Sequence, residues 1–102
     1  MGNTLSAVTV VLDKERHLRM TLGGMKKFSE VTGKNLLKDT VNPDNADELI
    51  VFIWSCLIWE DRQLTVEDVG YMLDFNRLEE LSLAMQAAWK LAKPEGQGSP
   101  NA

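Results

Sequence analysis

The chain has 102 residues, 44% apolar and 25% charged, the composition of one folded domain and not of a disordered segment. Its lone cysteine, Cys56, excludes an intrachain disulfide and a multi-cysteine metal cluster. A net charge of −4 without a concentrated basic face argues against direct nucleic-acid binding, and the longest apolar stretch, residues 49–59, is too short for the roughly 20 residues of a membrane helix.

Met1 to Ser6 show no basic segment leading into an apolar run, so they read as a flexible N-terminus and not as a secretory leader. Residues 7–12 are rich in β-branched side chains and predict a strand. The charged residues 13–16 suit a turn. Residues 17–21 then alternate, with Leu18 and Met20 on one face and His17, Arg19 and Thr21 on the other, which completes a β-hairpin. Such a hairpin is marginal alone in water and needs helices packed on it.

Gly23-Gly24 reads as a tight strand-to-helix turn before an amphipathic helix that starts at Met25 and carries Phe28 and Thr32 on the same face. Gly33 should end it. Residues 34–42 predict a loop anchored by Leu36 and Leu37. Asn42-Pro43-Asp44 signals the start of the next helix, with Asp47 and Glu48 favouring its positive end. That helix runs to about Trp59 and is apolar on every face, which makes it the central helix. Thr65 and Asp68 form a capping-box pattern for a short helix over residues 66–73. Asn76 is the expected cap of a last helix, which runs to about Ala92 with Leu78, Leu81, Met85, Ala88, Trp89 and Ala92 in one stripe. Pro94 stops it, and residues 94–102 predict a disordered tail. The expected fold is α+β, mainly α: an N-terminal β-hairpin followed by about four helices around the central apolar one, in a single globular domain over residues 7–93.

Charge is unevenly spread. Residues 1–43 carry seven basic and four acidic side chains, whereas residues 44–80 carry two basic and ten acidic. A basic half and an acidic half on one chain suggest head-to-tail association of copies, making a homo-oligomer an expected partner state.

Candidate chemistry is sparse. His17 is the only histidine, and no nucleophile or orienting group accompanies it in the sequence, so it reads as a surface residue. Cys56 lies late in an apolar helix, where packing is the better reading than nucleophilic chemistry. Glu60, Asp61, Glu67 and Asp68 lack the spacing and turn glycine of a calcium loop and read as caps and solubilising groups. Gly23-Gly24 lacks the lysine-serine signature of a phosphate loop. The expectation is therefore a chain without catalytic residues, metal, cofactor or small-molecule substrate. Tryptophan is enriched at binding hot spots. Trp54, Ile58, Trp59 and Trp89 are accordingly the first candidates for a partner-binding surface, with Met25 and Phe28 next.

The run over residues 17–36 contains His17-Leu18-Arg19-Met20-Thr21-Leu22-Gly23-Gly24 and Phe28-Ser29-Glu30-Val31-Thr32-Gly33. With Ile53-Trp54-Ser55-Cys56-Leu57 and Leu64-Thr65-Val66-Glu67-Asp68-Val69, it resembles the phage tail assembly chaperones over residues 7–92. In that group a hairpin strand leads through a Thr-Leu-Gly step into a helix, and a large apolar helix is followed by an acidic break and a Leu-Thr-x-Glu-x-Val pattern. The resemblance implies a non-catalytic helical chaperone in the cytoplasm of the bacterial host. It would bind the tape-measure protein, keep it soluble until tail-tube protein polymerises around it, and be absent from the mature virion. Members of that group are often made in two forms by a ribosomal frameshift near the C-terminus, and by this resemblance any longer form of the chain would diverge after Lys93. The alternatives are a structural phage connector or tail component kept in the particle, and a small protein-binding regulator.

Overall fold

The computed structural model describes residues 7–42 and 44–93. Val8–Val11 (β1) pairs antiparallel with Glu15–Leu18 (β2), Val8 opposite Leu18 and Val10 opposite Arg16. Alternation places Val10, Arg16 and Leu18 on the covered face, and Thr9 and Val11 on the open one. The second strand thus starts two residues before the position expected from its apolar alternation. Arg16 is not a turn residue. It points inward, and its Nε and Nη2 donate to the Asp13 carboxylate at 2.9 and 2.8 Å while Nη1 donates to Asp61 at 3.2 Å. A buried guanidinium persists only when paired in this way.

The first helix, Leu22–Thr32 (α1), also begins earlier than expected. Thr21 caps it by accepting from the Gly24 N–H at 3.0 Å, so both glycines lie inside the first turn and not before it. Gly24 is required by packing. A Cβ there would stand 2.6 Å from the Ser55 carbonyl oxygen and 3.1 Å from Met20 Sδ. Gly33 ends the helix in the left-handed conformation, with φ of 79°, as expected of a glycine at this position. In the following loop Leu36 is buried, but Leu37 is 73% exposed and anchors nothing.

Ala46–Leu57 (α2) is capped by Asn45, which accepts from the Glu48 N–H at 3.2 Å. The expected cap, Asn42, instead accepts from the Asp44 N–H in an Asx turn that precedes the helix; Pro43 lies outside the described residues. The helix stops two residues short of Trp59, because Glu60 and Asp61 both turn their N–H groups back to the Leu57 carbonyl. Val66–Met72 (α3) carries the full capping box, with Thr65 and Asp68 satisfying each other's backbone N–H groups. A 3₁₀ turn over Phe75–Arg77 then leads into Leu78–Ala92 (α4). Asn76 falls within that turn and caps nothing; Arg77 organises the entry, pairing with Glu80 and donating to the Val11 carbonyl at 2.7 Å.

The fold is therefore mainly helical with an antiparallel hairpin at its N-terminal side. α2 is packed against β2, α1, α3 and α4. Phe28, Phe52, Ile53, Leu57, Val69 and Leu81 are fully buried, and Phe52 meets Phe28 and Trp89 edge-on at 6.1 and 6.2 Å. No helix among the described residues is long and apolar enough to cross a membrane. The expected disordered tail, residues 94–102, and the expected flexible start, residues 1–6, lie outside the described residues.

The two neighbouring glycines should respond to alanine with opposite signs. Gly24→Ala forces α1 off α2 and should destabilise by about 1–3 kcal/mol, a fall in Tm of roughly 4–8 °C per kcal/mol. Gly23 meets nothing nearer than Thr21 Oγ1 at 3.8 Å. Gly23→Ala should leave Tm unchanged or raise it, by up to ~1 kcal/mol of helix propensity. Thermal unfolding followed by circular dichroism checks both.

Candidate functional site

The C-terminal end of α2 is where its apolar circumference loses its cover. Trp54 and Ile58 stand one turn apart on the same face, and Trp59 follows in the turn. All three are half-buried. Each indole is fixed at its polar edge: Trp54 Nε1 donates to the Leu64 carbonyl at 2.9 Å, and Trp59 Nε1 to the His17 carbonyl at 3.0 Å. The rings are thus held as walls, with their N–H groups satisfied and apolar surface facing outward. They line an open groove of about 580 Å³ together with Arg19, Thr21, Lys27 and Arg62. The Arg19 guanidinium lies 5.3 Å from the Trp59 ring centroid, within cation–π range.

The remaining candidates divide. Trp89 is half-buried on α4, remote in sequence and separate from this groove. It lines a second hollow of about 440 Å³ with Leu36, Val41, Phe52 and Met85, and Lys93 Nζ lies 6.0 Å from its ring. Met25 is half-buried at the edge of the core. Phe28 is fully buried and packs edge-on against Phe52. It is a core residue and not a contact surface, because the helix that carries it starts a turn earlier and is drawn onto α2 by Gly24.

The sequence reading missed the cations of the groove. Arg19 reads as facing away from Leu18 and Met20, but nothing in the sequence brings it together with Lys27 and Arg62. It also missed Tyr71 and Phe75, which are 83% and 87% exposed. Tyr71 stands off the Val66, Val69 and Met72 stripe of α3, a signal that was available.

Behind Trp59 lies a polar cluster that ties the hairpin to the end of α2. The His17 N–H donates to Glu60 Oε1 at 3.0 Å, and the ring nitrogens stand 3.2 Å from Glu60 Oε2 and 3.3 Å from Glu15 Oε2. The hydrogen bond to Glu60, then the charges of both carboxylates, raise the His17 pKa above its ordinary value. Beside it, Arg16 holds the Asp13 carboxyl below its usual range. The Arg19 N–H donates to the Cys56 carbonyl at 3.0 Å, satisfying one of the last carbonyls of α2. Cys56 itself is buried, and loss of solvent pushes its thiol pKa up, which disfavours the thiolate. Among the described residues no group of three or more His, Cys, Asp or Glu is placed to hold a metal ion.

Because the folded His17 pKa is raised above the 6.5 of the free side chain, its contribution to stability is full below 6.5 and is lost as pH rises through the folded value. An NMR titration of the His17 ring should give a pKa above 6.5. Glu60→Gln should lower that value and flatten the pH dependence of the denaturation midpoint. An unmoved His17 pKa in that variant would contradict the geometry. Cys56 should react with a thiol reagent only as fast as the chain unfolds, so its labelling rate should track denaturant concentration.

No protein family, curated protein or solved structure matches the chain.

Proposed function

We propose that the chain is a non-catalytic assembly chaperone that binds the apolar helical segments of a phage tape-measure protein during tail assembly. The observation that supports this best is the groove at the end of α2, where two tryptophans with satisfied indole N–H groups and Ile58 offer apolar surface on a rigid frame. A helix in such a groove would bury its apolar stripe against aromatic walls, the usual mode by which a folded domain takes up an amphipathic helix. Rings already held in place lose little freedom on binding. The acidic side chains of α3 and α4 keep a protein with this exposed surface soluble. The order hairpin, Thr-Leu-Gly step, large apolar helix, acidic break and capped Leu-Thr-x-Glu helix, on which the resemblance to tail assembly chaperones rests, corresponds to consecutive elements of this fold.

The basic surplus of residues 1–43, which the sequence reading assigns to pairing between copies, is partly taken up within the chain. Arg16 pairs with Asp61 and Lys34 with Glu48, acids from beyond residue 43, whereas the pairs Arg16–Asp13 and Lys26–Glu30 lie within that stretch and leave its surplus unchanged. Client binding is therefore a better use of the remaining charge than association of copies by charge alone.

Co-expression with the tape-measure protein encoded in the same genome, followed by affinity capture, tests the proposal. The tape-measure protein should become soluble and co-purify, and mass spectrometry of purified virions should lack this chain. If the tape-measure protein stays insoluble and unbound, the reading fails. A chain retained in the virion would make it a connector or tail component, and capture of a transcription factor instead would make it a regulator.

A further inference from the structure

The cations around the groove come from three separate elements: Arg19 from the end of the hairpin, Lys27 from α1, and Arg62 from the turn after α2. Carboxylates engage them only weakly. Among the described residues neither Arg19 nor Arg62 forms an ion pair, and Lys27 stands 3.5 Å from a Glu30 carboxylate that is closer to Lys26, at 2.8 Å. By contrast Arg16, Lys34 and Arg77 are each paired with a carboxylate at 2.8 Å. The acids nearest in sequence to the groove are engaged elsewhere, Glu60 with His17 and Asp61 with Arg16. A chain of net charge −4 thus carries a locally cationic rim around an apolar floor.

We infer that this groove selects an acidic amphipathic helix, one whose apolar stripe is flanked by glutamate or aspartate, and it does so by pairing those carboxylates with Arg19, Lys27 and Arg62. The inference rests on the groove being the client site and names the chemistry of the client. Complementary charges around an apolar contact fix register and suppress wrong partners more than they add affinity. Three cations from three elements would reject a lysine-flanked helix of equal hydrophobicity. Nucleic acid is a poorer occupant. A strand binder needs a longer basic track than three cations around one groove provide.

The test uses two fluorescein-labelled helical peptides of about 20 residues with leucines at i, i+3, i+4 and i+7, one flanked by glutamate and the other by lysine. Fluorescence anisotropy with the full chain should show the glutamate peptide binding at least about tenfold tighter at low salt, a preference that falls as salt shortens the screening length. The double substitution K27E/R62E, at exposed positions that hold no core contact, should reverse the preference. Arg19 is left in place because it packs on Trp59. Circular dichroism confirms folding, and if the double variant is unfolded, K27Q and R62Q singly should each weaken glutamate-peptide binding. Equal binding of the two peptides, an unreversed preference, or tighter binding of an oligothymidine than of the glutamate peptide would overturn the inference. If wild type and K27E/R62E hold the tape-measure protein equally, the groove assignment is overturned while the chaperone reading stands. If the glutamate peptide binds as expected but the tape-measure protein does not, the groove assignment stands and the chaperone reading fails.

Discussion

Helix α2 carries apolar side chains around its whole circumference, and a helix of that kind has to be covered on all sides or leave apolar surface in water. A chain of 102 residues has little else to cover it with. α1 comes closest, and it can do so only because Gly24 presents no side chain to the Ser55 carbonyl. β2 covers another side with Leu18, α4 a third with Leu81, Met85 and Ala88, and α3 a fourth with Val69. Cover fails at the last turn, where the chain leaves the helix at Leu57 and bends back on itself. Trp54, Ile58 and Trp59 are what remains. The groove is thus the place where the elements wrapped around the central helix stop short of its last turn.

Much of the fold was legible because it rests on local signals. The β-branched run of residues 7–12, the Thr65 and Asp68 capping box, Gly33 as a helix terminator and the α4 stripe each act over a few residues. The errors fall where a distant part of the chain decides. Gly23 and Gly24 look like a turn until α2 is placed against them. Arg16 looks like a turn residue until Asp61, 45 positions away, is available to pair with it. Asn42 and Asn76 are good caps in isolation, but Asn45 claims one role and the 3₁₀ turn around Arg77 removes the other.

The site was legible in part for the same reason. Trp54, Ile58 and Trp59 belong to one continuous segment, so their proximity follows from the helical repeat. Trp89 and Phe28 do not join them, because aromatic character alone does not distinguish a core side chain from a surface one. The cations were hidden most completely. Arg19, Lys27 and Arg62 meet only through tertiary packing of three elements, and no periodicity in the sequence links them.

The polar cluster behind Trp59 bears on how well the groove is formed. A buried ion pair such as Arg16 with Asp13 and Asp61 adds little net stability, since loss of hydration offsets most of its attraction. Its effect is on geometry. Together with the His17 contacts to Glu60, it fixes the turn after α2 against the hairpin, and the His17 carbonyl then holds the Trp59 indole. An apolar cluster in the same place would stabilise the junction without specifying one orientation for the ring, because dispersion contacts are non-directional. Directional hydrogen bonds to a backbone carbonyl and to two carboxylates define that orientation. A groove walled by tryptophans thus stays open in water: the rings that would otherwise turn inward to close the gap are tethered at their polar edges, and the cost of that exposure is borne by the frame before any partner arrives.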